Sequence, residues 1–278
     1  EEQEEQEQEE AAVGLAAMNQ GGGGAQGGGT TRTFANSEFK RAYDAAEAAD
    51  TDYTLLQETD RFLCVYLGRE GRPADQAKQF VGKLRQEGHK AAQGGWLDEG
   101  LTDVEGCAQR LWSSTTPGPG SRELCSMIND ALRRDEAAMM LHVAVFVRTL
   151  NEGLVKRRDL KQVQWPPRRE SDGVTATFRG AIVPEECLQF YLGMQGCKYR
   201  VPGFLATSFS EEVATEFAMS AWQLAGGKHP AVCYEVRVDP EGKTRQVRRC
   251  QHVSLIRKSN KPEEQEFLYV PYSAFTVL

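Results

Sequence analysis

The sequence predicts an α+β fold: a helical lobe first, then a β-rich half with one helix set inside it. Three observations predict this. Apolar residues recur with a period near 3.6 from Phe34 to about Asn151, the period falls to 2 after Ser171, and a strong helix start at Ser210 interrupts the strands.

In the helical half, Phe39, Ala42, Tyr43 and Ala46 fall on one face, with Asn36 or Ser37 as N-cap. Leu55, Leu56, Phe62, Leu63 and Tyr66 continue the pattern over 51–66, and Gly68 is placed to end that helix. Ala77, Phe80, Val81 and Leu84 predict a further helix before Gly88. A capping box, Thr102 with Glu105, opens the next one. Ser121 is positioned to cap a helix carrying Leu124, Ile128, Ala131 and Leu132, and 139–150 forms another. His142 lies inside that last apolar helix, where a structurally satisfied histidine outweighs a ligand.

In the second half, Val174–Gly180 reads as a strand and 187–193 as a short helix. A short strand over Gly203–Ser210 runs into the next helix, where Ser210 is the N-cap and Glu211 and Glu212 favour the positive end of the dipole. Val213, Phe217, Ala221 and Leu224 share one face of that helix, with Ala214 and Ala218 beside them, and Gly226-Gly227 ends it. Alternation over 231–238 puts Val232, Tyr234, Val236 and Val238 on one side, before a turn at Asp239-Pro240-Glu241-Gly242. Strands over 253–256, 267–270 and 275–278 complete a set of about six.

Charge excludes one class of function. The chain carries −7 overall, but seven of its 40 acidic residues sit in residues 1–10, against 33 basic residues in the whole chain. The remainder is balanced, so bulk electrostatic binding to nucleic acid or to an anionic membrane is not expected. No apolar run approaches the ~18 residues that span a bilayer. The seven cysteines form no Cys-x-x-Cys pair, which argues against a disulfide scaffold and a structural zinc site and for a reduced, cytoplasmic setting. Residues 1–31, an acidic block followed by GGGGAQGGG, read as a disordered tail, because such composition cannot offset its ordering entropy. A basic cluster at Lys156, Arg157, Arg158, Lys161, Arg168 and Arg169 reads as a solvated linker.

Chemistry concentrates near the C-terminus, at Glu263-Glu264-Gln265-Glu266 ahead of Phe267-Leu268-Tyr269-Val270. Strand alternation predicts Glu264 and Glu266 on one face, roughly 6.5–7 Å apart, with Glu263 and Gln265 turned away. Paired carboxylates at that spacing suit general-base or cation-stabilising work. Alone, the same residues also read as a solvated acidic turn leading into an edge strand.

Three segments in order resemble the arginine-specific mono-ADP-ribosyltransferase family of the Arg-Ser-Glu class, the type found in bacterial binary toxins and vertebrate ecto-transferases. TFRGA resembles the first motif, with Arg179; GFLATSFSEEVATEFA the second; and EEQEFLYVPYSAFTV the third, with Glu264 and Glu266. SRELCSMINDALRR resembles the helical lobe that precedes the family's sheet. The resemblance covers roughly residues 94–278 and implies a split, mostly antiparallel β-core over 171–278 behind a helical lobe over 94–170. Residues 32–93 are left as a helical extension without a motif.

The resemblance also implies roles. NAD+ is the co-substrate and no metal is needed. Glu266 stabilises the oxocarbenium-like state that forms as the nicotinamide–ribose bond breaks. Arg179 grips the pyrophosphate with its planar fork. Gly180 leaves room for the backbone to approach the nicotinamide amide, Thr207 and Ser208 brace the cleft, and Phe204 lines the cofactor site. Glu264 orients an acceptor guanidinium and takes its proton, so the expected partner is a protein with an accessible arginine, and the chain is expected to act as a monomer. The family's first motif serine falls on Ala206, for which Thr207, Ser208 or a shifted Ser208-Phe209-Ser210 would substitute. NAD+ hydrolysis and silent binding of NAD+ or ADP-ribose stand as alternatives. A His-Tyr-Glu enzyme is disfavoured, since Arg179 holds the first-motif position and none of His89, His142, His229 or His252 ends a matching strand.

Overall fold

A computed structural model describes residues 34–92, 103–155, 168–169, 173–238, 253–256 and 259–278. The expected tail over 1–31, Thr102 of the capping box, Lys156–Lys161 of the basic cluster and the turn at 239–242 lie outside them. The chain divides into two compact units, one holding Arg32–Lys156 with Arg257–Lys261, the other Arg157–Ile256 with Pro262–Leu278.

The first unit is a helical bundle. It comprises α1 (Glu38–Ala45), α2 (Asp52–Arg69), α3 (Ala74–Ala92), α4 (Asp103–Trp112), α5 (Leu124–Arg134) and α6 (Ala137–Val155). The period of 3.6 fixes its core: Leu55, Leu56, Phe62, Leu63, Tyr66, Ala77, Phe80, Val81, Leu84, Leu124, Ile128, Ala131 and Leu132 are all buried. Helices α1 and α2 pack on α6, and α3 packs on α2 and α4. Helices α3 and α4, on either side of the boundary expected near residue 93, pack on one another.

Three terminal details differ from expectation. Helix α2 runs on to Arg69, and the left-handed residue behind it is Gly71 at φ 69°, not Gly68. Helix α3 continues through Gly88 to Ala92. Ser121 closes a 3-10 turn at φ 60°, so the N-cap of α5 is Glu123 and makes no side-chain cap bond. Ser37 and Thr51 do cap α1 and α2 with their hydroxyls. His142 is paired with Glu58 at 2.7 Å, a structural partnership.

The second unit holds β1 (Thr175–Ile182), α7 (Glu185–Gly193), β2 (Lys198–Val201), β3 (Leu205–Ser208), α8 (Glu211–Leu224), β4 (Ala231–Val238), β5 (Val253–Leu255), β6 (Glu266–Tyr269) and β7 (Ser273–Thr276). A five-stranded antiparallel sheet has the order β4-β1-β3-β6-β5, and β2 pairs with β7 in a second, two-stranded sheet. The fold is α+β. The described strands number seven; the one not anticipated is β2, whose Lys198-Tyr199-Arg200-Val201 is half charged.

Helix α8 buries a different face from the one its bulky residues suggest. Ala214 and Ala218 are 2% and 3% exposed against β1, whereas Phe217 is 50% exposed and Leu224 46%. Small side chains let helix and strand backbones approach closely. On the other side of the sheet, Phe267 and Tyr269 form a core with Val238, flanked by Leu205, Phe209, Val236 and Phe275. Thr177 and Tyr269 join hydroxyls there at 2.9 Å, so this core is polar-satisfied as well as packed.

Candidate active site

Three central strands bring the predicted residues together. Ser208 of β3 stands opposite Phe178 of β1 on one side and opposite Glu266 of β6 on the other. Directly opposed residues in an antiparallel pair share a face, with Cβ atoms roughly 4.5–5.5 Å apart. Ser208 is therefore the immediate neighbour of Glu266, and Ala206 stands opposite Leu268, two residues away. The serine directly opposite Glu266 is Ser208.

Glu264 does not belong to the strand. Pro262–Glu264 is a single 3-10 turn, closed by the Gln265 amide donating to the Pro262 carbonyl at 3.1 Å, and Gln265 is left-handed at φ 47°. The strand begins at Glu266. This corrects the alternation that put Glu264 and Glu266 on one strand face at a strand spacing, and with it the reason for setting Glu263 aside. Proline at the first position of the turn delays the start of the extended run, because its fixed φ suits a helical start.

The turn is fastened to the end of β3. Ser208 Oγ donates to the Glu264 carbonyl at 2.7 Å and accepts the Ser210 amide at 2.9 Å, while the Phe209 amide donates to the Gln265 carbonyl at 3.1 Å. Ser210 in turn accepts the Val213 amide at 3.2 Å and starts α8. One short segment thus fixes both the carboxylate turn and the helix behind the sheet.

Arg179 sits where the sheet splits. Strand β1 pairs with β4 along its whole length, but its register with β3 is confined to Phe178 opposite Ser208. Beyond that point the facing edges of β1 and β3 separate, which exposes backbone groups that must find other partners. The Arg179 guanidinium supplies one, donating from Nη1 to the Ala206 carbonyl at 2.8 Å. A strand carbonyl points along the sheet, so the guanidinium occupies the split itself. From β1 to β6 is two strand spacings, roughly 10 Å. A ligand reaching from Arg179 to Glu266 needs an anionic group and a reacting centre about that far apart.

Three other expected site residues have structural duties. A Cβ at Gly180 would lie 1.7 Å from the Ala214 carbonyl oxygen and 2.7 Å from the Ala218 nitrogen, so the packing of α8 on β1 requires the glycine. Thr207 is 5% exposed and its hydroxyl donates to the Phe267 carbonyl at 2.7 Å, locking β3 to β6. Phe204 is 4% exposed and offers almost no surface to a ligand.

Tyr234, placed by alternation only among the valines on one side of its strand, is a further candidate. The residue stands directly opposite Arg179 across the β1–β4 pair. A phenol in a row otherwise made of Val232, Val236 and Val238 was the available signal. Burial pushes its pKa well up, Tyr191 and Tyr199 add to the rise, and the nearby Arg179 partly offsets it.

No protein-family model matches the chain, and no curated protein matches it. Two solved structures are similar to it. The Vis toxin, an ADP-ribosyltransferase from Vibrio splendidus, is 20% identical with a TM-score of 0.40, over 72% of this chain and 77% of that one. The ADP-ribosyltransferase Vis in complex with the M6 inhibitor is 19% identical with a TM-score of 0.42, over the same shares of each chain.

Proposed function

We propose that this chain is an NAD+-dependent mono-ADP-ribosyltransferase that modifies an arginine side chain of a protein and releases nicotinamide. The observation that carries the reading is the meeting of three strands: the Arg179 guanidinium in the split of the sheet, one residue beyond the row of Phe178, Ser208 and Glu266, with Ser208 also holding the turn of Glu264. A fixed cation and two carboxylate residues supported by one serine suit a reaction that must bind a pyrophosphate and stabilise positive charge on a ribose.

Each residue then has one task. Arg179 binds the pyrophosphate through charge-assisted hydrogen bonds. Glu266 faces the ribose, where positive charge grows as the bond to nicotinamide breaks and nicotinamide leaves with the bonding electrons. A carboxylate there stabilises the transition state more than the ground state. Glu264 receives the acceptor guanidinium and accepts the proton that nitrogen loses as it bonds to the ribose carbon. Ser208 positions both carboxylate segments. The scheme needs no metal.

The test uses the full chain, radiolabelled NAD+ and an arginine-rich acceptor protein. Label should transfer to the acceptor and come off with hydroxylamine, as an arginine linkage does. Glu266→Ala should abolish transfer while NAD+ still binds. Normal labelling by that variant, or label resistant to hydroxylamine, overturns the proposal.

A further inference from the structure

Tyr234 and Arg179 are direct cross-strand partners, so their side chains rise from the same face of the sheet with Cβ atoms roughly 4.5–5.5 Å apart. The Tyr234 ring is held in position from outside the strand. Tyr191 of α7 meets it edge-on at 5.8 Å and 70°, and Tyr199 of β2 meets Tyr191 at 6.1 Å and 68°. These contacts fix where the phenol oxygen lies.

That oxygen is buried and has no hydrogen-bond partner among the described residues. Buried polar atoms are ordinarily satisfied, because a donor left unpaired away from water costs free energy. Phenylalanine would fill the same space among the three aromatic rings without that cost. The hydroxyl therefore has no use in the packing, and its ring shares a sheet face with Arg179, whose guanidinium enters the split. Burial keeps the phenol protonated through the neutral range, with Tyr191 and Tyr199 acting in the same direction and Arg179 against it. It is a donor there, not an anion.

We propose that the Tyr234 hydroxyl is a second donor for the anionic group that Arg179 binds, and that it hydrogen-bonds a phosphate oxygen of the dinucleotide. This rests on the assignment of Arg179 to the pyrophosphate. A guanidinium alone attracts any anion near it. A neutral donor held on a rigid ring adds direction without adding charge, so it discriminates between oxygen positions of a phosphate group.

The test compares the full-length chain with Tyr234→Phe by calorimetry, using ADP-ribose as the phosphate-bearing probe and nicotinamide as the phosphate-free one. For ADP-ribose the Kd should rise about ten-fold or more, the fold-change of one hydrogen bond to a charged group. Nicotinamide binding should stay the same. The KM for NAD+ should rise while kcat holds, because the contact is made equally before and during the reaction. Melting temperature should be unchanged or higher, since no hydrogen bond within the protein is lost. Unchanged ADP-ribose affinity in Tyr234→Phe overturns the inference. So does a lowered melting temperature with both probes weakened together, which would mark the hydroxyl as structural. Failure of the unmodified chain to bind ADP-ribose sinks the proposed function as well, so the two failures are distinguishable.

Discussion

Ser208 donates its hydroxyl to the main-chain carbonyl of Glu264 at 2.7 Å while standing opposite Glu266 in the β3–β6 register. One residue therefore sets the place of both glutamates, the first through its side-chain hydroxyl and the second through strand pairing. Replacing Ser208 by Ala removes that bond and the one from the Ser210 amide. A stability loss of about 1–3 kcal/mol should follow, the cost of leaving partly buried partners unpaired. Transfer to arginine should fall further than NAD+ hydrolysis, because the turn that loosens carries Glu264. Quantifying labelled protein against free ADP-ribose checks this, and Ser208→Thr, which retains a hydroxyl, should recover part of the transfer. Equal loss of both products would mean that Glu264 is not the acceptor's partner.

Ala206 faces Leu268 and contributes its carbonyl to Arg179. Neither duty involves the side chain that the family's motif would place there. Ala206→Ser should accordingly leave turnover and NAD+ affinity unchanged, as steady-state kinetics can establish. A large gain in kcat would show instead that Glu266 is held too loosely by Ser208 alone.

The pattern of the chain revealed the helical core residue by residue, because a period of 3.6 can bury only one stripe, and Leu55, Phe62, Ala77 and Leu84 all lie in it. It failed where a local geometry overrides the period. Glu264 reads as a strand residue by alternation, yet Pro262 and a left-handed Gln265 turn the chain before the ladder begins at Glu266. Helix α8 misleads in a related way. Its apolar stripe through Phe217 and Leu224 is the conspicuous one, but Gly180 brings β1 so near that only Ala214 and Ala218 fit between. That choice of face is made by a residue far away in the chain, Gly180, which precedes Ala214 by 34 positions. Arg179, Ser208 and Glu266 stand out in the sequence by resemblance, while Tyr234 emerges only from the register that sets it beside Arg179.

Gly180→Ala tests the helix–strand contact directly. The new methyl meets the backbone carbonyl of Ala214, which cannot rotate away as a side chain would. Overpacking of this kind costs about 1–3 kcal/mol, and the rigid obstacle puts this site at the upper end. Denaturant titration should show the midpoint falling with little change in slope. An unchanged midpoint would mean that α8 shifts freely on β1.

Asp135 lies at the end of α5 in left-handed conformation, and its carboxylate accepts the Glu38 amide at 2.9 Å and the Phe39 amide at 2.6 Å. It serves as an N-terminal cap supplied from nearly a hundred residues away, adding to Ser37. Asp135→Ala leaves two amides of α1 unmet and loses the charge–dipole attraction. About 2 kcal/mol of stability should disappear, with Asp135→Asn losing less because asparagine tolerates the same backbone and keeps an acceptor oxygen. Thermal melts of the two variants rank them, and equal melting temperatures for Asp135→Ala and the parent would remove the cap from the account of this lobe.

Alkaline pH should destabilise the chain in part through Cys107. The side chain is buried, and burial pushes its thiol from the ordinary 9.0 up to about 12, with Asp52 acting in the same direction and Arg110 against it. A group whose pKa is raised by folding favours the folded state fully below its unfolded value, so this contribution is intact under pH 9. Above that the unfolded thiol ionises and the folded one does not, and stability falls until the folded value near 12 is reached. The slope for this one group is about 1.4 kcal/mol per pH unit. Because other groups titrate in the same range, the comparison is with Cys107→Ala, measured as unfolding free energy at several pH values from 8 to 11. The variant starts lower, having lost a buried sulfur, but its stability should decline less steeply with pH. Parallel decline in the two proteins would show that the thiol does not stay protonated in the folded chain.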